Sequence, residues 1–154
     1  MLVPDLTSYS NLYRPPSEAF SLILQITIGC SHNKCSFCSM YKGVQFHIKP
    51  FEQIKAEIDY FRSRAKYVNR IFLADGDALI VPTEKLIKIL KYIKNIFPEC
   101  ERISTYASPK SLELKSDNYI NLKGNLPEDK KRLIQEIDIS LNKHSLKEKK
   151  YRLL

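Results

Sequence analysis

From Phe20 to Pro109 the chain alternates between short apolar runs and longer amphipathic stretches, and few folds accept that order. "FSLILQITIGC" is rich in Ile and Leu and alternates only weakly, as a strand does when both of its faces are covered. "KPFEQIKAEIDYFRSRAKY" puts Phe51, Ile54, Ile58 and Phe61 at helical spacing, and Pro50 suits a helix start. "RIFLADGDALIV" begins as a strand and is broken by Asp75, Gly76 and Asp77. "PTEKLIKILKYIKNIF" is amphipathic: Leu86, Leu90, Ile93 and Phe97 lie along one face, Lys85, Lys88 and Lys91 lie away from it, and Pro98 ends it. "ERISTYASP" is a third strand, stopped by Pro109. Strand, helix, strand, helix, strand predicts βαβ units and a parallel sheet with right-handed crossovers.

The flanks differ from this core. Residues 1–19 read as an arm, because Pro4, Pro15 and Pro16 forbid regular helix and Ser8, Ser10 and Asn11 favour turns. Residues 20–109 form the βα core. Residues 110–154 divide into a polar, turn-rich linker over 110–126 and a helix over "LPEDKKRLIQEIDISLN". Pro127, Glu128 and Asp129 suit that helix's first turn, and Leu133, Ile137 and Leu141 share a face. The length of 154 residues suffices for one domain with its own core. No apolar run approaches the length of a membrane span, and the first residues lack the pattern of a signal peptide. The sequence therefore reads as cytoplasmic and reduced. The net charge of +8 raises nucleic acid as a partner, yet residues 1–109 carry 14 basic and 10 acidic side chains and residues 110–154 carry 11 and 7. Charge spread so evenly is the pattern of a solvated, lysine-rich surface and gives only weak support to RNA.

In a parallel sheet the loops that follow the strands emerge on one rim, where α/β proteins place their chemistry. Here the first such loop carries Cys30, Cys35 and Cys38, the second Asp75, Gly76 and Asp77, and the third Ser104, Tyr106 and Ser108. In a reducing compartment, clustered cysteines bind metal or do redox work more often than they form disulfides. Three readings are open from the spacing alone. Three thiolates hold an iron–sulfur cluster with one iron left for an outside ligand. A zinc site would need His32 or His47 to complete it. A redox pair of Cys35 and Cys38 would leave Cys30 unexplained. Taken singly, Gly76 and its aspartates form an ordinary turn, His32 and His47 are solvent-facing, Tyr41 and Phe46 are packing residues, Cys100 is a plain thiol, and Asp75 is one carboxylate among many.

A three-cysteine loop after the first strand, with Phe37 just before the third cysteine, resembles the radical SAM superfamily. "DGDAL" stands where that superfamily has a Gly-Gly-Glu-Pro-like stretch at the end of the second strand. "YRPPSEAFSLILQITIGCSHNKCSFCSMYKGVQFHIKPFEQI", "YASPKSL" and "GNLPEDKKRLIQEID" resemble stretches of a bacterial and archaeal subfamily. The resemblance implies that Cys30, Cys35 and Cys38 bind three irons of a [4Fe–4S] cluster, with S-adenosylmethionine on the fourth. It further implies Phe37 against the adenine, Gly76 allowing close approach at the methionine end, Asp77 accepting from its ammonium, and Ser104 or Tyr106 facing the same cavity. An electron donor such as flavodoxin or ferredoxin is implied as partner. Two features depart from the pattern: the spacing is C-x4-C-x2-C where C-x3-C-x2-C is commonest, and Asp77 replaces Glu.

The implied fold is α/β, a partial, half TIM-barrel-like parallel sheet of about three βα units plus a C-terminal helix. The superfamily's core has about six such units, whereas a full barrel of eight takes roughly 250 residues. The middle is therefore expected to be deleted or remodelled, leaving an open sheet edge that invites self-association. A different class, a non-enzymatic zinc-stabilised module directed at RNA, stands as the alternative. A chain that has lost its function stands third and predicts loss of order after about residue 110.

Overall fold

The structure is a computed structural model that describes residues 6–122 and 137–141. The elements are β1 (Leu22–Gln25), β2 (Thr27–Ile28), β3 (His47–Ile48), α1 (Phe51–Arg64), β4 (Arg70–Ala74), α2 (Thr83–Ile96), β5 (Arg102–Ala107), α3 (Pro109–Leu122) and β6 (Ile137–Leu141). The main sheet has the order β1-β4-β5-β6, parallel throughout. Strand order follows chain order without reversal, which is the winding of a barrel segment; a doubly wound sheet would reverse. The expected α/β class, a partial barrel-like parallel sheet, is what the chain forms.

Helices α1 and α2 cover one face of this sheet. Ile54 and Ile58 of α1 and Leu86, Leu90 and Ile93 of α2 pack with Phe97 against Leu24, Ile71, Leu73 and Ile103 in one core. The helical faces read from the sequence are the buried ones. Pro50 stands immediately before α1, and α2 stops one residue short of Phe97. In the described part of the arm, residues 6–19, short turns of 3-10 helix stand at Thr7–Asn11 and Pro16–Glu18, with no α-helix among these residues. The arm lies over the second face, where Leu12 packs with Ile23, Phe72, Ala74 and Tyr106. The Phe72 and Tyr106 rings meet edge to face at 5.0 Å.

Three expectations are corrected. The run 20–30 is two strands, not one. After Gln25 the chain turns out of the sheet at Ile26, and β2 pairs antiparallel with β3 (Thr27↔Ile48, Ile28↔His47). Residues 110–122 are helix α3 and not a linker. Ser108 caps its start by accepting the Ser111 N–H at 3.1 Å, and Pro109, read from sequence as a strand stop, also pre-sets the first helical turn. Residues 137–141 form a strand beside β5 and not a helix. Ile137 and Leu141 fit a helical repeat, but Ile137, Ile139 and Leu141 fit a period of two equally well, and the open edge of β5 decides between them. The rest of the expected C-terminal helix lies outside the described residues. Regular elements therefore stand at 109–122 and 137–141, and among the described residues β1 and β6 lie at the two sides of the sheet.

Glu18 locks the arm down. Its side chain is 0% exposed and accepts from Arg102 at 2.7 Å, from Ser104 Oγ at 2.9 Å and from Ser21 Oγ. Burial alone would raise its carboxyl, but the hydrogen bonds from Ser21, Arg102 and Ser104 outweigh that and hold it below the usual carboxylate range. An unfolded glutamate titrates near about 4.3. The stabilisation is therefore complete above that pH and is lost as pH falls through the lower, folded value. Glu18→Gln is expected to cost about 1–3 kcal/mol at pH 7. In urea titrations, its midpoint should converge on that of the parent protein as the pH is lowered below about 4.

Candidate cofactor site at the strand rim

The three loops of the rim meet. Gly29, with φ +74°, turns the chain out of β2 into the cysteine loop, and the β2–β3 ladder closes that loop from the other side. Cys30, Cys35 and Cys38 are free and half-buried, and Phe37 is 71% exposed. Within the loop, the Asn33 side-chain amide donates to the Tyr41 carbonyl at 2.8 Å, closing the segment that holds Cys35 and Cys38. Positive φ at Asn33 (42°) is a conformation that Asn tolerates better than most residues.

Tyr41 ties the cysteine loop to the one after β4. Its hydroxyl donates to Asp75 Oδ1, and its ring lies against Gly76. Asp75 is 5% exposed and also accepts from Gln25 Nε2 and from the Gly29 N–H, both at 3.3 Å. Burial pushes the Asp75 carboxyl up against the lowering effect of these bonds, and burial pushes the Tyr41 phenol up as well.

Asp77 ties all three loops together. It is 1% exposed and accepts from Ser31 Oγ at 2.7 Å, from the Ser108 N–H at 3.1 Å, from Ser108 Oγ at 2.9 Å and from Ser111 Oγ at 2.6 Å. A carboxylate at the start of α3 suits the helix's free N–H groups. Close by on α3, Lys115 is half-buried, donates to Thr83 Oγ1 at 3.1 Å, and has its ammonium pushed down by burial to about 8.

Of the residues singled out in the sequence, Cys30, Gly76 and Asp77 come together. A Cβ on Gly76 would stand 2.9 Å from Cys30 Cβ and 2.5 Å from Tyr41 Cε2. Ser104 does not join them. It lies in mid-strand and is bonded to Glu18 beneath the arm, so Ser108 alone represents the third loop at the rim. His32 and His47 are exposed, and Cys100 is buried below the sheet with its Sγ against the Arg102 carbonyl at 3.4 Å. Sequence reasoning missed the role of Asp75 and Tyr41. The available signal was that Asp75 takes a glycine's place in the stretch "DGDAL" resembles.

The donor set suits a [4Fe–4S] cluster by number and type: three free thiols on one loop, with His32 and His47 both exposed. Among the described residues, no three His, Cys, Asp or Glu side chains lie close enough to hold a metal ion. The thiols would thus be drawn together by the metal, as is common where a site forms on binding. The family model of the Radical SAM superfamily matches residues 24–145, most of the chain. The chain belongs to the radical SAM superfamily, whose members generally bind a [4Fe–4S] cluster and S-adenosylmethionine. No curated protein matches the sequence. Among the described residues, no helix is long and apolar enough to cross a membrane.

The crowding at Gly76 can be measured. Gly76→Ala is expected to destabilise by about 1–3 kcal/mol through overpacking. In a double-mutant cycle with Tyr41→Ala, part of that cost should vanish once the ring is gone, the contact with Cys30 Cβ remaining. Equal costs in both backgrounds would place the crowding elsewhere.

Proposed function

We propose that the protein holds a [4Fe–4S] cluster on Cys30, Cys35 and Cys38 and binds S-adenosylmethionine beside it. The observation that carries this reading is the convergence of the cysteine loop, Gly76 and Asp77 on one sheet edge in a chain of the radical SAM superfamily. When bound, such a cluster supplies the electron that cleaves S-adenosylmethionine reductively to a 5′-deoxyadenosyl radical. The chain's own groups bind and orient. Phe37, exposed beside Cys38, offers its face to the adenine. Gly76 offers its backbone to the methionine end. Asp77 accepts from the ammonium once the exposed Ser31 hydroxyl yields its place, while Ser108 and Ser111 keep the carboxylate fixed. Lys34 and Lys42, exposed on the same loop, suit an acidic electron donor of the flavodoxin or ferredoxin kind.

The test is anaerobic reconstitution with iron and sulfide, followed by electron paramagnetic resonance of the reduced protein. The expected result is about four irons and four sulfides per chain and a signal that shifts when S-adenosylmethionine is added. Cys30→Ala, Cys35→Ala and Cys38→Ala should each abolish the signal, and Cys100→Ala should leave it unchanged. Bound zinc with no iron would instead favour a structural metal module.

A further inference from the structure

We propose that Asp75 is the positioning residue of the cysteine loop, its one carboxylate fastening both flanks of the segment that carries Cys30, Cys35 and Cys38. On the first flank, Oδ2 accepts from the N–H of Gly29, the residue before Cys30. On the second, Oδ1 accepts from the hydroxyl of Tyr41, three residues after Cys38. Tyr41 passes the constraint inward, because its carbonyl accepts from Asn33 at 2.8 Å and so closes the chain around Cys35 and Cys38. The Tyr41 ring, seated on Gly76 beside Cys30, adds a packing contact at the same point.

Asp75 is itself held from below. Its N–H donates to Thr27 Oγ1 at 3.1 Å, and Gln25 Nε2 donates to Oδ2 at 3.3 Å. Gln25 is in turn held by Ser8 of the arm at 2.5 Å and, through its backbone N–H, by the Tyr9 hydroxyl at 2.8 Å. A carboxylate so placed fills no apolar gap, and as a buried acceptor it is costly to leave without its donors. What it does is hold two ends of a loop at a fixed separation. A group bound by three thiols of that loop then meets a loop whose freedom is already reduced.

The role assigned here concerns the loop, and only its bearing on a cluster rests on the reading under Proposed function. The test separates the two. Full-length protein without metal is treated with limiting iodoacetamide, and alkylation of each of the four cysteines is followed by peptide mass spectrometry. Tyr41→Phe keeps the ring on Gly76 and removes only the hydroxyl. It should speed labelling of Cys30, Cys35 and Cys38 by about tenfold, the worth of one buried hydrogen bond to a carboxylate. Cys100, buried away from the loop, should keep its rate. Asn33→Asp, which tolerates the same backbone but loses the amide donor, should speed Cys35 and Cys38 and spare Cys30. Equal acceleration at all four thiols would mean general destabilisation and would overturn the proposal, as would unchanged rates at the three loop thiols. Reconstitution of the same variants adds the second readout: a lower iron content and a broadened reduced signal in Tyr41→Phe against the parent protein. A parent protein that assembles no cluster would remove the cofactor reading and leave the labelling pattern to decide the role of Asp75.

Discussion

The parallel register of β1, β4 and β5 sets where every group at the rim stands. Gln25 lies beside Ala74, and Leu73 beside Thr105, so the chain leaves the sheet at the same height each time. Ile26 is still joined to the Ala74 carbonyl at 2.6 Å as β1 gives way to the cysteine loop. A slip of one residue would turn Phe72 and Ser104 toward the helices and Ile71 and Ile103 toward the arm. The cost of such a slip falls on both faces. Ser104 and Arg102 would lose Glu18, and the apolar layer under α1 and α2 would receive a hydroxyl without a partner.

The face of the sheet away from the helices shows how a short barrel segment is kept covered. In a closed barrel that face is filled by side chains from the remaining strands. Here the arm supplies part of the cover, through Leu12 and through Glu18 with its partners Arg102 and Ser104, and it also reaches across to α1. Lys49 and Glu57 are both fully buried and paired at 2.6 Å, and the Tyr9 hydroxyl donates to the same carboxylate at 2.8 Å. Lys49 follows β3 directly, and its carbonyl accepts from Lys85 at 2.6 Å. One buried cation thereby joins the arm, the base of the cysteine loop and α1, and the end of that loop is tied to α2. Removing either partner would strand a buried charge, which is why such pairs specify an arrangement more than they stabilise it.

The sequence disclosed those parts of the fold in which one repeat dominates. The periods of α1 and α2 and the apolar content of β1, β4 and β5 are unambiguous, and Pro50 and Pro98 punctuate as expected. Reading failed where two patterns share residues. Ile137 and Leu141 satisfy both a helix and a strand, and only a vacant strand edge distinguishes them. Ser108-Pro109 is at once a strand's end and a helix's beginning. At the candidate site, the cysteines, Gly76 and Asp77 were legible because their types are unusual at those places. Asp75 and Tyr41 were not, since a carboxylate and a phenol are common in any sequence and gain meaning only once folding puts them in contact. The Lys49–Glu57 pair was invisible for the same reason: side chains eight positions apart give no local sign that both will be buried.

The ladder of Thr27 and Ile28 with Ile48 and His47 brings the two ends of the cysteine loop together before the loop itself is considered. A loop whose ends are pinned can change length cheaply, because closure entropy grows only with the logarithm of length, about 0.6 kcal/mol per doubling. A residue added between Cys30 and Cys35 would therefore be absorbed within the loop without reaching the sheet. In physical terms the loop is a cassette. Its contents can be lengthened, shortened or re-spaced while the strands beneath it keep their places, and the spacing of its thiols is free to follow whatever they come to hold.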